Sequence, residues 1–151
     1  MTRFYSIDDA MATLEEVEPI LLALRDERAE LIRLRDRALA GRAGGATDAG
    51  SEAEGGDVEG GGLPGAAVVD GSQRLLRLRM QGLIDQMQAG VTRLDELSVT
   101  LRDIESGLID FPALVNGRHV WLCWRLGEGP IEWWHELETG FGSRQRLIDL
   151  A

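Results

Sequence analysis

The side chains able to do chemistry are crowded into one short stretch. All four Trp, the single Cys and both His fall between His119 and His135, with the acids Asp110, Glu132 and Glu136 around them. Several chemistries use such residues. Imidazole, thiolate and carboxylate are the usual ligands of divalent transition metals, which makes Asp110, His135 and Glu136 metal candidates. A thiol with a neighbouring base is a nucleophile. Carboxylates do general acid–base work, and Glu132 and Glu136 flank Trp134, beside which a buried acid can have a raised pKa. Another use needs no reaction. Trp121, Trp134 and Arg125 on one surface have the composition of a binding hot spot.

Which of these residues meet depends on the strands that carry them. Asn116-Gly117 is a strong signal for a two-residue hairpin turn, since both positions tolerate positive φ. It pairs Val115 with Arg118, Ala113 with Val120, Phe111 with Leu122 and Ile109 with Trp124. Pro112 then falls at a non-hydrogen-bonded pair, facing an edge or a bulge. A second turn at Gly127-Glu128-Gly129-Pro130 pairs Leu126 with Ile131, Trp124 with Trp133, Leu122 with His135 and Val120 with Leu137. One face then carries Ile109, Phe111, Ala113, Val120, Leu122, Trp124, Leu126, Ile131, Trp133 and Leu137, with His135 its one polar member. The other presents Asp110, Trp121, Cys123, Arg125, Glu132, Trp134 and Glu136, with Arg125 across from Glu132.

That register ranks the chemistries. Adjacent strand residues point to opposite faces, so His135 and Glu136 share a metal only across a bulge, and a satisfied core histidine is the simpler reading. Cys123 has no base beside it, and Asp110 opposes thiolate formation. The preferred reading is therefore a non-catalytic binding or accessory protein using the Trp/Arg/carboxylate face, for a protein partner, self-association or a small ligand. Its alternative is a small metal-dependent or acid–base enzyme using Asp110, His135 and Glu136. The face could also be covered internally, by the N-terminal strand or by residues 140–151, with Arg144 and Arg146 pairing Glu132, Glu136 or Glu138. No cofactor is specified.

Helices must support this sheet. Ser6 is a capping residue with Asp9 three positions on, and Leu14, Val17, Leu21, Leu24 and Leu31 repeat as one apolar stripe. Pro19 predicts a kink or a restart, and Gly41 a stop. From about Ser72, a seam of Leu76, Met80, Leu83, Met87, Gly90, Leu94, Leu97, Leu101, Ile104 and Leu108 alternates four and three, with Gly90 allowing close backbone approach. Residues 98–104 also read as a strand. Residues 42–71 are acidic and Gly-rich, a composition of disorder. The reading is α+β in a single domain: a short strand and helix in 1–41, a linker over 42–71, a second helix in 72–97 and a β-rich module in 98–151. The helices form a long antiparallel hairpin packed on an antiparallel sheet of three to five strands.

Composition narrows the rest. The 16 basic residues are all Arg, against 26 acids, and the net charge is −10. This excess disfavours nucleic acid and anionic membranes. One Cys precludes an intrachain disulfide, and no apolar run reaches membrane-span length, so a cytoplasmic location is expected.

The stretch GLIDFPALVNGRHVWLCWRLGE, with WWHELETGFGSRQRL after it and FYSIDDA at the start, resembles the uncharacterised bacterial proteins grouped as domain of unknown function 2203. The resemblance places Asp110, Phe111, Pro112, Cys123, Trp124, Arg125, Gly127, Glu128, His135, Glu136, Gly140 and Phe141 at motif positions. Ser98, where Gly is expected, and the Gly-rich linker depart from the pattern. The resemblance supports the fold and carries no activity.

Overall fold

The computed structural model describes residues 2–46 and 64–149, and the side chains of 2–41 and 71–148. Its elements are α1 (Ile7–Ala46), α2 (Pro64–Glu96), β1 (Thr100–Asp103), β2 (Leu108–Val115), β3 (Arg118–Arg125), β4 (Trp133–His135) and β5 (Gln145–Arg146), an α+β fold. The strands form one antiparallel meander in the order β1-β2-β3-β4-β5. No described helix is long and apolar enough to cross a membrane.

The chain divides into two compact units, Met1–Arg28 with Gln86–Ala151, and Ala29–Asp85. In the second, Glu30 bonds Arg33 at 2.7 Å and Arg79 at 3.0 Å, joining the two helices, while Leu34 is buried. The first holds the sheet. There the Ser6 hydroxyl caps α1 through the Asp9 amide at 3.1 Å. Ala10, Leu14, Val17, Leu21 and Leu24 face a core shared with Leu94, Phe111, Leu122, Trp124 and Trp134. Gly90 lies against α1, where an added Cβ would sit 3.1 Å from Leu24. The small residue in the seam is what permits this approach.

Several helix boundaries differ from those expected. α1 runs unbroken through Pro19 and past Gly41. A lost hydrogen bond and ring clash cost about 3 kcal/mol, which burial of Leu21 and Leu24 at about 1.5–3 kcal/mol each offsets. Helix also extends over 42–46 and begins again at Pro64, into both ends of the expected linker, whose residues 47–63 lie outside the described residues. α2 stops at Glu96, so Leu101, Ile104 and Leu108 leave the heptad seam, and Thr100–Asp103 is a strand. The stop is a Schellman motif. Ser98 takes φ 60°, its amide bonds Asp95 O at 2.9 Å, and the Val99 amide bonds Leu94 O at 2.9 Å. A residue in this conformation is usually Gly, and Ser98 gains from its hydroxyl, which accepts the Arg3 amide at 2.8 Å.

The β2–β3 hairpin has the expected register at every pair from Val115–Arg118 to Leu108–Arg125, with Asn116 and Gly117 at φ 52° and 77°. Pro112 lies past the Thr100–Asp110 pair at which β1 begins, and its carbonyl accepts the Tyr5 amide at 2.8 Å.

The β3–β4 register does not match. Trp121 pairs with His135, Leu122 with Trp134 and Cys123 with Trp133, one residue from the expected pairing. A one-residue slip exchanges the faces of the whole strand. The cause lies between the strands. Ile131 and Trp134 both enter the core although they are three residues apart, because β4 begins only at Trp133 and the preceding chain does not alternate. Gly127 and Gly129 take φ 94° and 80°, and the Trp124 indole N–H donates to Gly129 O at 2.7 Å. The connection is thus pinned to the core as a wider loop than the expected tight turn.

Candidate functional site

The slipped register gathers a diagonal row on one face of the sheet, with His135 opposite Trp121 and Cys123 opposite Trp133. Arg102 of β1, Asp110 of β2, Cys123 of β3 and His135 of β4 lie on the face turned away from the helices. Asp110, Cys123 and His135 are all buried, and one ligand atom from each lies within 4.8 Å of the other two. The sequence reading kept His135 apart from Asp110 and Cys123; the displaced strand joins them.

Asp110 is the centre of the row. Its Oδ2 accepts Arg102 Nε at 2.8 Å and lies 3.1 Å from His135 Nε2, while its Oδ1 is buried with no hydrogen-bond partner among the described residues. Arg102 sits where the β1–β2 register jumps between Leu101 and Asp103, and its guanidinium also covers the Trp121 ring at 5.1 Å. His135 Nδ1 lies 2.9 Å from Glu136 O. A carbonyl only accepts, so Nδ1 carries a proton and donates it there. A neutral ring then turns the Nε2 lone pair toward a carboxylate that is itself an acceptor. A proton shared between them, on the ring or on the carboxyl, or a metal ion makes that contact attractive.

Burial pushes the Cys123 thiol up to about 12, and the nearby Asp110 carboxylate adds to the rise, against the opposing pull of Arg144. Without a cation beside it, Cys123 is a neutral thiol at physiological pH. The free nucleophile considered from sequence is therefore disfavoured.

The C-terminal segment frames this face. Glu128 accepts Arg144 Nη1 at 2.7 Å, and the Arg144 guanidinium packs on the Trp133 and Phe141 rings at 4.4 and 4.2 Å. Arg144 was expected to pair with Glu132, Glu136 or Glu138; the loop that turns Glu128 inward supplies its partner instead. A cavity of about 230 Å³ opens beside Asp110 and His135, bounded by Arg102, Leu108, Leu137, Thr139, Gly140 and Phe141.

The remaining candidates are dispersed. Trp121 stands directly across from His135 on the same face, half-buried. Trp134 is 4% exposed in the core on the other face. Arg125 is 3.6 Å from Glu128 and packs toward Phe141, away from any pairing with Glu132, which is exposed and whose carbonyl accepts the Leu147 amide. Glu136 is exposed and paired with Arg118 at 2.9 Å, so among the metal candidates only its backbone carbonyl serves the site. The expected Trp121–Trp134 binding face is not assembled. Sequence reasoning missed Arg102, whose position on a strand was ambiguous, and the roles of Glu128 and Phe141, which stood only as motif positions.

The chain belongs to the family described as uncharacterised conserved protein (DUF2203), whose profile matches residues 3–147. Comparison with curated proteins and with solved structures gives no match.

Proposed function

We propose that this member of the DUF2203 family is a metal-binding protein whose centre is Asp110, Cys123 and His135, holding a divalent transition ion of the zinc class. The observation that carries the reading is the buried Asp110–His135 contact, with Nδ1 committed to the Glu136 carbonyl and Nε2 aimed at a carboxylate whose other oxygen has no partner among the described residues. Metal-ligating imidazoles are oriented in this way, by donating the other ring N–H to a carbonyl. An ion with bonds of about 2.0–2.3 Å would engage Nε2, a carboxylate oxygen and the thiolate after small side-chain adjustments. It would also lower the thiol pKa enough to ionise Cys123. Three protein ligands leave one position open, the arrangement of a centre that binds or transforms something else. Compared with the enzyme reading from sequence, Cys123 replaces Glu136.

Cobalt(II) titration tests this, because a thiolate ligand gives an intense near-ultraviolet charge-transfer band. The expected result is uptake of one ion per chain with that band, and its loss in Cys123→Ser. His135→Gln should weaken uptake by at least about tenfold, from loss of one ligand. A folded wild-type chain that takes up no cobalt or zinc would mean that a proton bridges the contact, and that Asp110 and His135 form a structural hydrogen-bonded pair. Circular dichroism of each variant separates loss of a ligand from loss of the fold.

A further inference from the structure

The charges around such a centre do not balance, and the imbalance specifies a ligand. A divalent ion and the Arg102 guanidinium outnumber the Asp110 carboxylate and the Cys123 thiolate by one positive charge. Close by, Arg144 is paired with Glu128 at 2.7 Å. Arg102 uses only Nε on Asp110 and keeps 43% of its side chain exposed, with no other hydrogen-bond partner described for it. Its terminal nitrogens therefore keep their donors beside the cavity next to Asp110 and His135.

The cavity adds size and polarity. Its volume of about 230 Å³ is below the roughly 300–1,000 Å³ of sites for drug-sized molecules. Leu108, Leu137 and Phe141 give the same cavity an apolar part of its lining beside Arg102, Asp110 and His135. An anion held by the charged residues thus shares the cavity with hydrocarbon. Inorganic phosphate has no apolar part to use this lining.

We propose that the site takes a small monocarboxylate with a short apolar tail, its carboxylate between the metal's open position and Arg102 and its tail against Leu108, Leu137 and Phe141. This inference rests on the metal reading of the same site. Its test is a titration of cobalt-loaded protein with butyrate, acetate and inorganic phosphate, followed by the visible ligand-field bands. Butyrate should shift the bands saturably and bind more tightly than acetate or phosphate. Arg102→Gln should weaken butyrate roughly 10–100-fold, the loss of a hydrogen-bonded charge, and Arg102→Lys should weaken it less. Leu137→Ser should reduce the preference of butyrate over acetate. A chain that loads no cobalt overturns the metal reading and this inference together. A loaded chain whose bands ignore butyrate, or that prefers phosphate or binds acetate equally well, overturns this inference alone.

Discussion

The β4 register decides whether His135 can reach Asp110, and two neighbouring tryptophans report on it. Trp134 is 4% exposed within the core, opposite Leu122. Truncating a buried Trp to Ala costs about 3–5 kcal/mol through lost burial and the cavity left behind. Its indole N–H has no partner among the described residues. Ala also removes that unsatisfied donor, itself worth about 1–3 kcal/mol. The expected loss for Trp134→Ala is therefore at the lower end, about 3 kcal/mol. Trp134→Phe discards the donor and keeps most of the ring, and should cost about 1 kcal/mol or less by the same reasoning. Trp133 is half-buried on the opposite face, with Arg144 and Arg146 over its ring at 4.4 and 5.4 Å. Exposed cation–π contacts are worth about 0.5–1 kcal/mol each. Trp133→Ala should thus lose about 1–2 kcal/mol. Equilibrium unfolding in urea measures all three. If Trp133→Ala proved as costly as Trp134→Ala or more so, Trp133 would belong to the core, His135 would return to the helix side of the sheet, and the site would dissolve.

Other consequences follow from the turns of the same sheet. At Gly107, φ is 67° and an added Cβ would lie 2.5 Å from the Leu126 side chain, whereas at Gly117, with φ 77°, nothing lies within 4 Å. Gly107→Ala should therefore cost about 3 kcal/mol, strain plus overpacking, and Gly117→Ala only about 1–2 kcal/mol, both read from urea unfolding. In the β1–β2 turn, the Ser106 hydroxyl and amide hold the Asp103 carboxyl below its usual range. A depressed carboxyl stabilises the fold above its unfolded value of 3.8, and that contribution is lost as pH falls through the folded pKa. Ser106→Ala should move the Asp103 titration upward in an NMR pH series and flatten this acid limb; an unchanged titration would contradict the turn geometry.

Much of the protein was legible because its signals are local. Ser6 caps a helix through an atom three residues away, and Asn116-Gly117 fixes a two-residue turn whose register propagates by alternation to Leu108–Arg125. The apolar stripes of both helices follow from periodicity, and the order of the meander from its turns. Pro19 shows where local rules yield: the flanking leucines are buried deeply enough to carry the helix through it. The site was hidden for a related reason. Asp110 and Cys123 were correctly placed on one face by the first hairpin, but His135 depended on the path of the chain from Leu126 to Glu132. A loop with two positive-φ glycines has no period to count, and its exit is set by where Ile131 and the Trp134 ring find space in the core. The residue types of the centre came from the sequence. Which of them meet was decided by core packing, because a shift of one residue in a strand turns every side chain to the other face.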